Sequence, residues 1–212
     1  MTRLLENDAL RILADHGLAV PEFVVASSSD EAALATADFG GESVLKALIP
    51  ASGRAAAGAV RIARSAEEAR TIAGGLIGEK ILGFRVERIL VSRLVDAEWE
   101  ISIVFAPDPV TGTPTLFASA LGGIDVAELM HRDPATLVRR PLGGEGGISA
   151  DTVREVAKDL GLGAIEAEAL VPALAAMYRA FTEADATLLE VNPLIIATDR
   201  TIVAPTATLF VN

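Results

Sequence analysis

The chain has 212 residues, 51% of them hydrophobic and 4% aromatic, with a formal net charge of −11 at pH 7 and no cysteine. Such a composition excludes disorder and suits a packed α/β protein of one large domain or two small lobes. The acidic balance argues against nonspecific nucleic-acid binding, which draws on a basic surface, and the missing thiols exclude a disulfide framework and a thiolate metal site. With no basic-then-apolar start and no apolar run near about 18 residues, a soluble cytoplasmic protein is the expectation.

From about Glu6 to His16 the pattern predicts a helix. Ala9, Leu10, Ile12 and Leu13 give it an apolar stripe, and Gly17 stands where a helix end favours glycine. A short strand follows at Phe23–Ala26; Ser27 to Glu31 then offer N-caps for a helix over Ala32 to Phe39, closed by Gly40-Gly41. Ser43 to Leu48 reads as a strand, Gly53 to Gly58 as a loop of small residues, and Ala59 to Ala63 as another strand. Ser65-Ala66-Glu67-Glu68 is a capping box that opens a helix to about Ile77.

Arg88 to Ser92, Glu98 to Ala106 and Thr115 to Ala120 read as strands, with a Gly-, Pro- and Asp-rich turn from Pro107 to Pro114. Gly143 to Gly147 is a loop, ordered or mobile. Helices are expected over Asp151 to Leu160 and Ala164 to Ala184. Leu188 to Ala197, a turn at Thr198 to Arg200, and Thr201 to Val203 form a closing hairpin. Helices and strands alternate, but hairpins are frequent, so the expected class is α+β rather than a purely parallel sheet. No internal repeat, coiled coil or disordered linker is visible.

Two segments place polar groups in apolar strands. Leu188 to Ile196 reads as a buried strand carrying Glu190 and Asn192, stopped by Pro193. Residues two apart on a strand share a face, so a carboxylate and an amide oxygen stand side by side. Hard cations such as Mg²⁺ take such oxygens, usually with nucleotide phosphates; a satisfied Glu and an Asn starting a turn before proline have the same spacing. Lys46, flanked by Val44, Leu45, Ala47 and Leu48, needs an anionic partner if buried, and phosphate is a good one. A lysine snorkelling from a strand edge is the other reading.

Leu189-Glu190-Val191-Asn192-Pro193-Leu194 resembles the (L/I)E(I/V)NPL signature of the ATP-grasp β subunits of succinyl-CoA synthetase and related acyl-CoA ligases. Val44 to Val60, which contains Lys46, Gly53, Arg54 and Gly58, resembles the family's VVKxQVxAGGRGKAGGV. The opening, Glu6 to Pro21, is similar to its amphipathic helix followed by GLPxP. The three lie in family order and cover nearly the whole chain. The resemblance implies an ATP-grasp fold with two α/β lobes enclosing a nucleotide cleft: a small lobe over about 20–95, and a larger one over about 1–19 and 96–212.

It further implies that Lys46, Gly53, Arg54 and Glu100 bind nucleotide (ATP or GTP), and that Glu190 and Asn192 hold Mg²⁺. Gly122-Gly123-Ile124-Asp125-Val126 resembles the family's EGG(V/M)(E/D)I, with Leu121 at the leading glutamate. Other positions depart too. Ala55 and Ala56 stand at a glycine and a lysine of the loop, Ser92 at a nucleotide-directed glutamate, and Pro205 and Ala207 at the aspartate and lysine of the LD(G/A)K strand. Neither histidine, His16 nor His131, is assigned catalysis; the family's phosphohistidine lies on a separate subunit or domain. The sequence ends where the ATP-grasp portion of the family ends. The implied partner is therefore an α-type subunit carrying the CoA-binding and phosphohistidine domains, and the apolar composition fits a buried interface. The expected activity is formation of acyl-CoA from a carboxylate, CoA and nucleotide. A degenerate, non-catalytic ATP-grasp subunit that stabilises or regulates a CoA ligase is the alternative, and a carboxylate–amine ligase is a third reading.

Overall fold

A computed structural model describes residues 1–108, 110–123, 136–143 and 147–212. The chain divides into two compact units, one of residues 21–95 and one of residues 1–20 with 96–212.

The smaller unit is a sheet covered by two helices on one face. Its strands are β2 (Phe23–Ala26), β3 (Ser43–Ala47), β4 (Val60–Ala63) and β7 (Ile89–Arg93), in the order β2-β7-β3-β4, all antiparallel. Leu45, Ala47, Ile89 and Val91 point to the side where α2 (Ser29–Asp38) and α3 (Ala66–Leu76) pack, and they join the helices' alanines in one core. Both helices begin on a serine cap. Ser28 Oγ accepts the Glu31 amide at 3.2 Å and Ser65 Oγ accepts the Glu68 amide at 3.1 Å. Each glutamate reaches back to the amide before its serine, at 2.7 Å in both cases. Two orphan donors at each helix start are thereby satisfied.

The sequence reading missed the hairpin of β5 (Lys80–Ile81) and β6 (Phe84–Arg85). Its two-residue turn puts Leu82 at φ 51° and Gly83 at φ 88°, the conformation that asparagine–glycine pairs usually announce.

The larger unit is built on a twisted antiparallel sheet ordered β1-β13-β11-β8-β9-β10. Its strands are β1 (Thr2–Arg3), β8 (Ala97–Pro107), β9 (Pro114–Ser119), β10 (Val138–Pro141), β11 (Ala186–Ala197) and β13 (Thr208–Val211), and the short β12 (Ile202–Val203) pairs with β11. Ile101, Ile103, Phe105, Leu189, Val191 and Leu194 are fully buried. Phe105 meets Tyr178 and Phe181 of the long helix α5 (Ala164–Glu183), with ring centroids 5.7 and 6.1 Å apart. The helices α1 (Glu6–Asp15) and α4 (Ala150–Asp159) pack against α5. Among the described residues no helix is long and apolar enough to cross a membrane.

One expectation is overturned. Pro193 does not stop its strand: β11 runs on to Ala197. Pairing with β8 jumps from Val191↔Ile103 to Leu194↔Ile101, so a bulge takes Asn192 and Pro193 out of the ladder. A residue without an N–H is tolerated inside a sheet at such a bulge.

Candidate functional site

In the smaller unit the face away from the helices carries the expected phosphate-binding residues. Lys46 lies on β3 opposite Val60 and Leu90. By strand alternation it shares that face with Val44, Leu90 and Ser92. It is 5% exposed, so burial holds and the snorkelling reading does not. Ser92 is buried on the neighbouring strand and offers a hydroxyl to the same face.

The loop after β3 folds back onto the strand that carries Lys46. Gly53 and Gly58, at φ 73° and 72°, bracket a turn in which Ala57 N donates to Gly53 O at 3.0 Å and Ala59 N to Arg54 O at 2.8 Å. Positive φ explains the two glycines, and Ala55 and Ala56 between them need none. Arg54 Nη1 donates to Ala47 O at 3.1 Å. A second cation is therefore anchored at the carbonyl one residue beyond Lys46.

In the larger unit the face of the sheet away from α5 carries Glu100, Ser102 and Val104 of β8 and Leu188 and Glu190 of β11. Glu190 stands opposite Val104 on one side and Thr208 on the other. Val104 and Phe117 form a small apolar floor with Leu188. Asn192 Nδ2 donates to Glu190 Oε1 at 3.3 Å, so the two share a face despite the bulge. Asn192 Oδ1 accepts the Gly123 amide at 2.6 Å and lies 2.7 Å from Ser102 Oγ. Glu100 is exposed at the other end of the same β8 face, where its carbonyl accepts the Gly122 amide at 3.1 Å.

Sequence reasoning flagged the Gly122-Gly123 pair without its partner and missed Ser102. Ser102 is the one polar residue in an apolar run from Ile101 to Ala106, and that interruption was the available signal. Ile124, Asp125, Val126, His131 and Gly144 to Gly146 lie outside the described residues. His16 sits at the end of α1, with Nδ1 2.7 Å from Ile12 O and Nε2 3.2 Å from Glu183 Oε2, which are structural contacts.

The oxygen donors suit one class of cation. Among the described residues no group of three or more His, Cys, Asp or Glu is gathered for a metal. Mg²⁺ accepts one or two carboxylates, adds substrate phosphates and keeps several waters. Glu190 with the adjacent amide oxygen of Asn192 fits that demand. Pro205, between β12 and β13, supplies no side-chain oxygen.

Comparison with known proteins agrees with these features. A model of the ATP-grasp domain matches residues 3–196. The chain is 32% identical over 207 residues to the succinate–CoA ligase [ADP-forming] β subunit of Natronomonas pharaonis, covering 98% of this chain and 54% of that protein. It is 35% identical over 201 residues to the corresponding subunit of Ignicoccus hospitalis, covering 95% and 53%. The chain thus spans about half the length of the curated relatives it matches. Among solved structures it resembles the dinucleotide-forming acetyl-coenzyme A synthetase 1 of Candidatus Korarchaeum cryptofilum in complex with coenzyme A, Ca-AMPCP and HgCl⁺. That likeness has a TM-score of 0.79 at 26% identity and covers 99% of this chain and 93% of that one. The α+β architecture, the family match and these relatives together place the chain: it belongs to the ATP-grasp domain family, alongside the β subunits of ADP-forming succinate–CoA ligases.

Proposed function

We propose that the chain is the nucleotide-binding ATP-grasp subunit of an acyl-CoA synthetase. The observation that carries this reading is Lys46, a cation buried on the strand to which Arg54 is anchored at Ala47 O. Two cations brought to one strand favour a polyphosphate, and the relatives the chain matches are succinate–CoA ligase β subunits. In this reading Lys46, Arg54 and the backbone at Gly53 bind the phosphates of ATP or GTP, Glu100 contacts the nucleotide, and Glu190 and Asn192 hold Mg²⁺. When bound, Mg²⁺ neutralises phosphate charge and orients the terminal phosphoryl group.

The reaction runs through a partner. The nucleotide's terminal P–O bond breaks, and the phosphoryl group passes to a histidine of an α-type subunit, releasing nucleoside diphosphate. The phosphohistidine gives its phosphoryl group to a carboxylate, forming an acyl phosphate. The CoA thiol then attacks the acyl carbon, and inorganic phosphate leaves. This chain supplies none of the covalent carriers; it binds and orients the nucleotide.

The test is reconstitution. The chain with an α-type subunit, a short carboxylic acid, CoA, ATP and Mg²⁺ should form acyl-CoA, and the chain alone should not. No synthesis with a partner that binds it tightly would count for a second reading, in which the chain stabilises or regulates that partner. Ser92, Ala55, Ala56 and Pro205, at positions where the resembling family carries a glutamate, a glycine, a lysine and an aspartate, favour that alternative.

A further inference from the structure

Asn192 Oδ1 has two lone pairs and two hydrogen-bond donors, the Gly123 amide at 2.6 Å and the Ser102 hydroxyl at 2.7 Å. A cation can reach this oxygen only if one donor yields. The two are not equivalent. Gly123 N–H holds the turn after β9 against β11, and its release would undo that contact. Ser102 Oγ is also 3.0 Å from the carbonyl of Leu121. A hydroxyl has one proton, so Leu121 O and Asn192 Oδ1 compete for it. When Asn192 gives it up, the proton has an acceptor already in place, and no buried group is left unsatisfied. Ser102 itself is fully buried, so water does not take over the role.

We infer that Ser102 is a positioning residue for the metal face. Its hydroxyl holds Asn192 Oδ1 in the absence of a cation and turns to Leu121 O when a cation binds. Throughout, Gly123 N–H and the Nδ2 contact to Glu190 Oε1 at 3.3 Å keep the amide plane fixed and the carboxylate in place. This rests on the reading of Glu190 and Asn192 as Mg²⁺ ligands.

The test follows carbonyl and amide signals by NMR on the full chain, labelled with ¹³C and ¹⁵N. Mg²⁺ with a non-hydrolysable ATP analogue is added, and the analogue with EDTA is the control. The Leu121 carbonyl carbon should shift downfield with Mg²⁺ and not in EDTA, while the Gly123 amide stays protected from exchange. In Ser102→Ala the Leu121 shift should vanish. The Mg²⁺-dependent part of analogue affinity should rise about two- to fivefold, the worth of the one hydrogen bond that the cation no longer has to displace, with metal-free affinity unchanged. Ser102→Thr, which keeps the hydroxyl, should restore both. If the analogue binds with Mg²⁺ but Leu121 does not move, or if Gly123 loses protection instead, the proposal is overturned and the metal face stands. If wild type shows no Mg²⁺-dependent binding, the functional reading falls and takes the proposal with it. The wild-type experiment needs no variant to fold.

Discussion

Gly122 packs directly on Glu100: a Cβ at position 122 would lie 2.6 Å from Glu100 Cβ and 2.8 Å from its carbonyl carbon. The Gly122 amide donates to Glu100 O at 3.1 Å. The glycine is there for close approach, since it does not adopt a positive φ. Gly122→Ala forces the turn off β8, and overpacking of this kind costs about 1–3 kcal/mol. The urea midpoint should fall accordingly. Because Gly123 N–H holds Asn192, Mg²⁺-dependent nucleotide affinity should fall as well. Gly123→Ala, with φ 78° but open space around a Cβ, should be milder. Equal tolerance of both substitutions would refute the packing argument.

Arg200, at φ 70°, ties three elements together. Its Nη1 lies 2.6 Å from Glu166 Oε1 at the start of α5 and 3.0 Å from Glu98 Oε2 on β8. Glu166 is buried, so Arg200→Ala leaves a carboxylate with a lost partner and should destabilise by about 1–3 kcal/mol. Glu98→Ala removes only the more exposed arm and should cost under about 1 kcal/mol. Thermal melts of the two variants check the order.

Asp108 gives the larger unit a pH dependence. Its carboxylate is held below the ordinary range, first by the Thr111 amide and then by the Val110 amide, the Thr111 hydroxyl and the Arg139 charge. A lowered folded-state pKa means that the group stabilises above its unfolded value of about 3.9 and loses that contribution as pH falls through the folded value. Melting temperature should therefore fall on acidification below about pH 4–5, and Asp108→Ala should flatten that part of the curve. An unchanged acid limb in the variant would show that other carboxylates dominate.

Pro205→Asp supplies a carboxylate at the position of the resembling family's metal-binding aspartate. If the missing ligand limits cation binding, Mg²⁺ affinity in the presence of nucleotide should rise by about tenfold. An equilibrium titration reads this directly, and a circular-dichroism spectrum checks that losing the proline's fixed φ has left the fold intact.

Local signals were the legible part of this fold. Ser28 and Ser65 with their glutamates announced two helices, and Gly17, Gly40 and Gly41 ended helices at positive φ. What escaped was pairing without a local signature. The two-residue β1, the strand β13 just beyond Pro205, and β10 with two arginines and a proline are set by the sheet they join rather than by their own pattern. The Leu82-Gly83 turn lacks the usual residue types for its backbone. The same division holds in the site. Glu190 and Asn192 were visible because two polar residues interrupt an apolar strand. Ser102 interrupts an apolar run as well, but a lone serine names no ligand until Asn192, 90 residues away, is found against it.

The proposed function rests most on nucleotide binding by Lys46 and Mg²⁺ binding by Glu190. Calorimetric titration of the chain with ATP, in Mg²⁺ and in EDTA, tests it most directly on wild type, Lys46→Ala, Glu190→Ala and Asn192→Ala. Wild type should bind, and more tightly with Mg²⁺. Lys46→Ala should lose about tenfold or more under both conditions, because its attraction is to phosphate. Glu190→Ala should lose a similar factor with Mg²⁺ and little in EDTA, and Asn192→Ala should do the same to a smaller degree. ATP binding that none of these substitutions alters, or no binding by wild type even with an α-type partner present, would contradict the account.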